Sequence, residues 1–499
     1  MRGVVAAGHP VTAEAGAEAL RAGGNAVDAA LAAMFTSFVA EPMLTGLGAG
    51  GYMLVAQPGE EPVLLDFFVE APGRGLAPGA PHAPLLAVDV DFGDAVQVFN
   101  IGAAAAGPYG TVAGAAAAAE RFARLPLGEL VAPAAATARA GVVVNEQQAY
   151  LFDILSPITD ATPEARAHFM PAGHPPRVGE VHRDPALADT LERLAAEGPA
   201  PFYTGDVAAA VCDWIADRGG LLTRADLAAY ETVARAPVRV AYRGHMVVTN
   251  PPPSAGGILL AHTLAQLARG PSPPPLGAVV EAMAAAQAQR TPEFLAGLSD
   301  PGFLERFTAS RLGATTHISA ADADGWACAV TCTNGEGCGE VVPGTGIHLN
   351  NMMGEQDLSP FGYHAHPPGR RLPSMMAPTM VLGDGGPRLV LGSAGSNRIR
   401  SAILQVVIGV LDHGLGVQEA IDAPRVHVED DVAYVEPGLD ISSLESDHRT
   451  LVRFSARNLF FGGAQAVERD PPTGNLSGGG DPRRGGAVAN AWPPSMGPT

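Results

Sequence analysis

Apolar and polar positions follow two different rhythms along this chain. Between Thr12 and Phe38 the text is Ala-rich and is broken once, at Gly23-Gly24-Asn25, which predicts helix, turn, helix. The second helix is expected to open near Asn25, whose side-chain oxygen can cap free backbone N–H groups. Tyr52-Met53-Leu54-Val55 and the segment from Val63 to Phe68 read as strands, the latter ended by Ala71-Pro72-Gly73. After a loop-rich region, the stretch from Val112 to Arg124 reads as helix, and Leu125-Pro126-Leu127 opens a helix-rich tract. Residues from about 135 to 235 alternate helical stretches with Pro and Gly breaks, which predicts an all-α lobe. The run from Pro237 to Val248 returns to strand and hairpin. It enters the rigid loop Asn250-Pro251-Pro252-Pro253-Ser254-Ala255-Gly256-Gly257 and then a helix from Ile258 to Leu267. Beyond a surface connection, Gly270 to Pro275, helical text resumes through Arg311.

The rhythm then changes to period two. From Thr315 to Thr333 the alternation turns at Asp324-Gly325, a strong hairpin signal. A strand over Pro387 to Leu391, a helix over Arg398 to Leu411 and short strands near Ala433 to Glu436 follow. The tail, residues 470–499, is rich in Gly and Pro and is predicted to be loop or disordered. There is no internal repeat.

Composition narrows the class. A chain of 499 residues allows two to four domains, or a single core built on large mixed sheets. It is 47% hydrophobic and 16% charged, with 61 Gly and 44 Pro, so it is globular and rich in turns. A formal charge of −20 opposes phosphate backbones and anionic lipid, so neither nucleic acid nor membrane is an expected partner. The first residues carry no basic region ahead of an apolar signal core, and no apolar window reaches the ~18 residues of a span, so a cytoplasmic location is expected. Cys328, Cys332 and Cys338 are spaced C-x3-C-x5-C, which does not suit zinc. Cys328 and Cys332 would share a strand face, which favours packing, and with Cys212 they read as reduced thiols. No metal and no cofactor are expected. The glycines from Gly46 to Gly51 precede a strand, whereas a phosphate cradle follows one, so close packing is the better account.

Candidate chemistry centres on Gly313-Ala314-Thr315-Thr316-His317. A threonine hydroxyl needs a base, and the free α-amino group of the same residue can supply it once the preceding peptide bond is cut. With a reference pKa near 7.7–8.0, much of that amine is neutral at working pH. On pattern alone the plainer reading, two β-branched residues opening a strand, is preferred. The turn Gly392-Ser393-Ala394-Gly395-Ser396-Asn397-Arg398 would aim free N–H groups at a developing oxyanion, or Ser396 or Asn397 simply caps the helix. His317 and His348 read as satisfied histidines rather than bases.

Several motifs together carry a family resemblance. They are Gly23-Gly24-Asn25-Ala26-Val27-Asp28, Glu41-Pro42 with Gly46 to Gly51, Pro251 to Gly257, Thr315-Thr316-His317, Pro343-Gly344-Thr345-Gly346-Ile347-His348-Leu349-Asn350-Asn351, and Gly392 to Ile399. In this order the chain resembles the γ-glutamyltransferases, self-processing members of the N-terminal nucleophile hydrolase superfamily. The resemblance implies an α+β fold, a four-layer αββα sandwich with an added helical lobe. It also implies cleavage between Ala314 and Thr315 into a large subunit, residues 1–314, and a small one, 315–499. Thr315 would then attack the carbonyl of a small-molecule acyl amide, and water or an amine acceptor would resolve the acyl-enzyme. By position Thr333 is the threonine that supports the nucleophile, and Gly395 and Ser396 stand where paired glycines form the oxyanion hole. The resemblance leaves room for a homo-oligomer.

Departures from the family pattern cluster at the substrate. Where γ-glutamyl-binding members place an arginine after the Leu-Asp-aromatic strand, this chain has Phe68, and a phenyl ring cannot clamp a carboxylate. The family's Thr-Leu-Asn reads Thr333-Asn334-Gly335, its glutamine is Met352, its aspartate is Glu355, and its paired serines read Pro373-Ser374. Losing a buried ion-pair partner costs about 3–5 kcal/mol, which weakens any γ-glutamyl preference. Glu336 is added charge that either recognises a cationic group or is a solvated loop carboxylate. The expected activity is that of a γ-glutamyltransferase-like amidohydrolase or acyltransferase, near the acylases of side-chain amides such as cephalosporin acylases. The alternatives are a hydrolase of a C–C bond next to a carbonyl using the same threonine, or an unprocessed binding protein.

Overall fold

A computed structural model describes residues 2–91, 96–289, 315–359, 362–444 and 448–492. Thirteen strands form two large sheets among them: β1 (Gly3–Ala7), β2 (Gly50–Ala56), β3 (Val63–Phe67), β4 (Val233–Arg235), β5 (Val238–Tyr242), β6 (His245–Thr249), β7 (Thr316–Asp322), β8 (Ala327–Thr333), β9 (Thr379–Gly383), β10 (Gly386–Ala394), β11 (Gly463–Arg469), β12 (Leu476–Gly480) and β13 (Ala487–Ala491). The first sheet runs β13-β1-β7-β8-β2-β3-β4 and the second β12-β11-β10-β9-β6-β5.

The period-two alternation of the first sheet sorts its side chains into two cores. Val5, Met53, Val55, Ile318, Ala320, Cys328, Val330 and Cys332 point to one face, under the helices α1 (Pro10–Arg21) and α2 (Ala26–Ala40). Val4, Ala6, Tyr52, Leu54, Ala321 and Ala329 point to the other, where they meet Val247, Val381 and Leu389 of the second sheet. Helices α3 (Ala255–Leu267) and α5 (Arg398–Leu411) cover the second sheet, with α4 (Leu276–Ala288) packed on α3. The result is the four-layer αββα sandwich.

The local signals explain these elements. Asn25 caps α2 in a reciprocal box with Asp28. All fifteen residues of α2 are buried, as an apolar surface on every side of a helix requires. Asp28 is tolerated there because its carboxylate also accepts the backbone N–H groups of Arg124 and Leu125 at 3.0 and 2.9 Å. The β7–β8 hairpin turns through Gly325 at φ 96°, where the Asp-Gly pair predicts it.

Two expectations change. The helical tract extends from Leu127 to Ala228 and is interrupted by a two-residue strand pair, Val142–Val143 with Val181–His182, so it is not purely α. Val233–Arg235 leaves it altogether to become the edge strand β4, and helix Leu127–Ala140 packs on α2. The tail is not loop or disorder over its described part: β12 and β13 are sheet strands. The glycines there mark close packing, since a Cβ at Gly478 would lie 2.5 Å from Val488 and 2.9 Å from Val4. Residues 493–499, and the helical text expected over 290–311, lie outside the described residues.

Candidate active site

Strand register decides what surrounds Thr315. Thr316 opens β7 opposite Cys332, so Thr315 and Thr333 fall at the same end of the hairpin, with side chains on the face that meets the second sheet. Both are buried, and both line one small cavity with Phe68, Met352, Ser374, Met375 and Met376. The Thr333 Oγ1 accepts the Gly335 N–H at 2.7 Å. That turn requires a glycine, since Gly335 sits at φ 65° and a Cβ there would strike Asn351. Ala314 lies outside the described residues.

Phe68 is placed by charges that it does not touch with its ring. Asp66, fully buried, accepts the Phe68 N–H at 3.0 Å and pairs with Arg235 at 2.8 Å and Arg371 at 3.6 Å. The Phe68 carbonyl accepts from Tyr230 Oη at 2.7 Å and from Arg371. Its ring stacks on Tyr52 with centroids 5.5 Å apart. Arg371 also pairs with Glu70 at 3.5 Å and lies over the Tyr230 ring, so its charge is already committed.

The remaining site residues divide. Met352 and Ser374 join the Thr315 cavity; Pro373 does not line it, and its place is taken by Met375 and Met376, which sequence reasoning missed. Their only sequence signal is adjacency to Ser374. Glu336, Gly395 and Ser396 line a different cavity. Glu336 is 3% exposed, so the solvated-carboxylate reading fails. Its N–H donates to Asn351 Oδ1 at 3.1 Å, and Asn351 Nδ2 lies 3.5 Å from Glu355. Burial raises the Glu336 carboxyl above the ordinary carboxylate range, against a lowering hydrogen bond with Glu355. Asn334 is buried, and among the described residues neither of its side-chain polar atoms has a partner. Gly395 and Ser396 turn at φ 110° and 63°, and neither Ser396 nor Asn397 caps α5 with its side chain.

His317 is a strut between the sheets. Its ring nitrogens meet Thr331 Oγ1 at 2.7 Å and Ser319 Oγ at 3.0 Å, and a Cβ at Gly392 of β10 would run into the ring. Burial pushes its pKa down to about 3, as it does for His348, so both are neutral. The four cysteines are free and buried, and among the described residues no group of side chains could hold a metal ion.

The family model for gamma-glutamyltranspeptidase matches residues 12–491. The chain belongs to the γ-glutamyltranspeptidase family. Within it, the chain is 34% identical to the acylase ACY 1 proenzyme of Pseudomonas sp. (strain SE83), over 88% of this chain and 84% of that one. It is 32% identical to the glutathione hydrolase proenzyme of Escherichia coli (strain K12), over 97% and 90%. The solved cephalosporin acylase from Bacillus halodurans superposes with a TM-score of 0.83 at 28% identity, covering 98% of this chain and 95% of that one. The sandwich is accordingly that of the N-terminal nucleophile hydrolases. No helix among the described residues of this γ-glutamyltranspeptidase-family chain is long and apolar enough to cross a membrane.

One buried acid lies directly behind the hairpin. Glu41 ends α2 and accepts the Thr316 hydroxyl at 2.6 Å and the Thr12 hydroxyl at 3.0 Å. Burial raises its pKa from 4.5 to about 7 despite both hydrogen bonds. The native state therefore holds a proton that the unfolded chain releases above about pH 4.5, so this contribution to stability is present in acid and is lost as pH rises through 7. Glu41→Gln, which mimics the protonated form, is expected to gain about 3 kcal/mol relative to wild type between pH 4.5 and 8, read as the pH dependence of the difference in unfolding free energy. A flat difference would mean that Glu41 titrates normally.

Proposed function

We propose that this protein is a self-processing amidohydrolase or acyltransferase whose nucleophile is the Thr315 hydroxyl. The observation that carries the reading is the shared cavity: Thr315 and Thr333, eighteen positions apart at the open end of the β7–β8 hairpin, Phe68, Met352 and Ser374 from separate elements converge on it. Cleavage before Thr315 frees its α-amine, which accepts the hydroxyl proton as Oγ bonds to the substrate carbonyl. The Thr333 hydroxyl supports Oγ, and backbone N–H groups at Gly395 and Ser396 receive the oxyanion. The C–N bond then breaks, the amine leaves with the proton, and water or an amine acceptor releases the acyl group from Oγ. The large and small subunits of one precursor both supply the site, Phe68 from the first and Thr315 from the second.

An apolar patch inside this site suggests the acyl group. Phe68, Met352, Met375 and Met376 face Thr315 where a γ-glutamyl carboxylate would need a cation, and Arg371 is held away by Asp66 and Glu70. An apolar acyl chain suits that wall better than an α-amino acid. The relatives named acylases fit this preference, and those named glutathione hydrolases fit the shared chemistry. Phe68→Arg is expected to raise kcat/KM for γ-glutamyl-p-nitroanilide by about tenfold or more while lowering it for a phenylacetyl anilide. Equal effects on both substrates would place Phe68 outside the acyl pocket.

A further inference from the structure

The cavity that holds Glu336, Gly395 and Ser396 carries more unsatisfied chemistry than an oxyanion turn requires. Leu44, Phe99, Leu151 and Leu459 form its apolar side. Arg398 and Arg484 complete its polar side. Among the described residues, three buried atoms of its lining have no hydrogen-bond partner: Glu336 Oε2, Ser396 Oγ and Arg484 Nε. Buried polar atoms normally find partners, so three orphans in the lining of one cavity point to a ligand.

Arg484 is the unusual member. Its neighbour Arg483 pairs with Asp481 at 3.2 Å and with Glu436, and Arg425 pairs with Asp481 at 2.7 Å. Arg484 makes no ion pair among the described residues; its guanidinium donates only from Nη2 to the Leu459 carbonyl, at 3.3 Å. Burial and the nearby Arg398 cation lower its pKa to about 10, outweighing the carboxylates of Asp481, Glu336 and Glu41, which act on it without an ion pair. None of these carboxylates pairs with it directly among the described residues, and its Nε is left without an acceptor. The cavity lining therefore combines guanidinium and hydroxyl donors with hydrocarbon.

We propose that this cavity is a binding subsite for a carboxylate carried on an apolar body, the carboxylate meeting Arg484 and the Ser396 hydroxyl and the body lying on Leu44, Phe99, Leu151 and Leu459. It adjoins the Thr315 cavity along one loop, since Thr333 Oγ1 holds the Gly335 N–H and Glu336 is the next residue. Which half of the substrate brings the carboxylate, acyl group or leaving amine, rests on the Thr315 reading above; the binding itself does not.

Calorimetric titration of the Thr315→Ala chain with 3-phenylpropanoate and with 3-phenylpropanol tests the subsite without turnover. The acid is expected to bind at least about tenfold more tightly than the alcohol. Arg484→Gln in the same background is expected to abolish that preference and Arg484→Lys to keep part of it, each checked for an unchanged melting temperature. Equal or absent binding of the two ligands, or a preference that survives Arg484→Gln, overturns the proposal. In the Thr315 enzyme, two substrate pairs locate the carboxylate: glutaryl against pentanoyl anilide, and phenylacetyl-phenylalanine against phenylacetyl-phenethylamine. A rise in KM on Arg484→Gln confined to the acid of the first pair assigns it to the acyl half, and to the acid of the second pair, to the leaving half. Equal changes within both pairs overturn the proposal. If none of the four is turned over, the Thr315 reading fails, and calorimetry alone judges the subsite.

Discussion

Thr315→Ala is expected to leave the chain in one piece and to lower amide turnover by about 10⁴-fold or more, since a nucleophile and its own base disappear together. Wild type, incubated and run on a denaturing gel, should give two fragments, residues 1–314 and 315–499, the smaller beginning Thr-Thr-His. Thr315→Ser keeps a hydroxyl and an α-amine, so it should still cut, more slowly. Although Thr315 is buried, losing one methyl and one hydroxyl opens little space, so the alanine variant should stay folded. A well-folded wild type that never cuts, or an alanine variant that cuts at the same bond, would sink the assignment.

The second large effect is structural and concerns Asp481. This carboxylate is fully buried and accepts the backbone N–H groups of Ala464 at 2.8 Å and Arg483 at 3.0 Å while pairing with Arg425 and Arg483. Burial alone would raise its pKa; Arg425 and Arg483 outweigh that and hold it below the ordinary range. Its contribution is therefore present at neutral pH and is lost as pH falls through the carboxylate range. Asp481→Ala strands Arg425, itself fully buried, beside Arg483 and is expected to cost about 3–5 kcal/mol, read from the denaturant midpoint at pH 7. A loss below about 1 kcal/mol would show that Glu436 alone satisfies both guanidinium groups.

Much of the local structure around the candidate site was legible in sequence because its information is local. Period-two alternation and an Asp-Gly turn fix the Thr315–Thr333 hairpin, Asn25 fixes the start of α2, and the spacing of Cys328 and Cys332 puts both on the buried outer face. What was not legible depends on residues far apart in the chain. Glycines at 478–480 read as flexibility, although each sits where another backbone or side chain leaves no room for a Cβ. A solvated carboxylate was one of the two readings open for Glu336, because nothing beside it announces the loop that buries it. Arg484 carried no signal in the sequence, and its lack of an ion pair among the described residues emerges only in the fold, where Arg483 and Arg425 take up Asp481 and Glu436.

The order of strands in the first sheet has a mechanical consequence. β1 is zipped between β13 and β7, and β8 is zipped to β2, so residues 1–314 and 315–499 interdigitate along three hydrogen-bonded seams. In the second sheet a fourth seam joins β6 to β9. A break before Thr315 would create two chains but not two bodies. Neither could leave without baring the edge strands of the other, and neither has a complete first sheet to fold on. A single precursor would then be more than a delay on activity: it would deliver both halves of an inseparable lattice in equal number, and it would let a cut come only after the weave is finished.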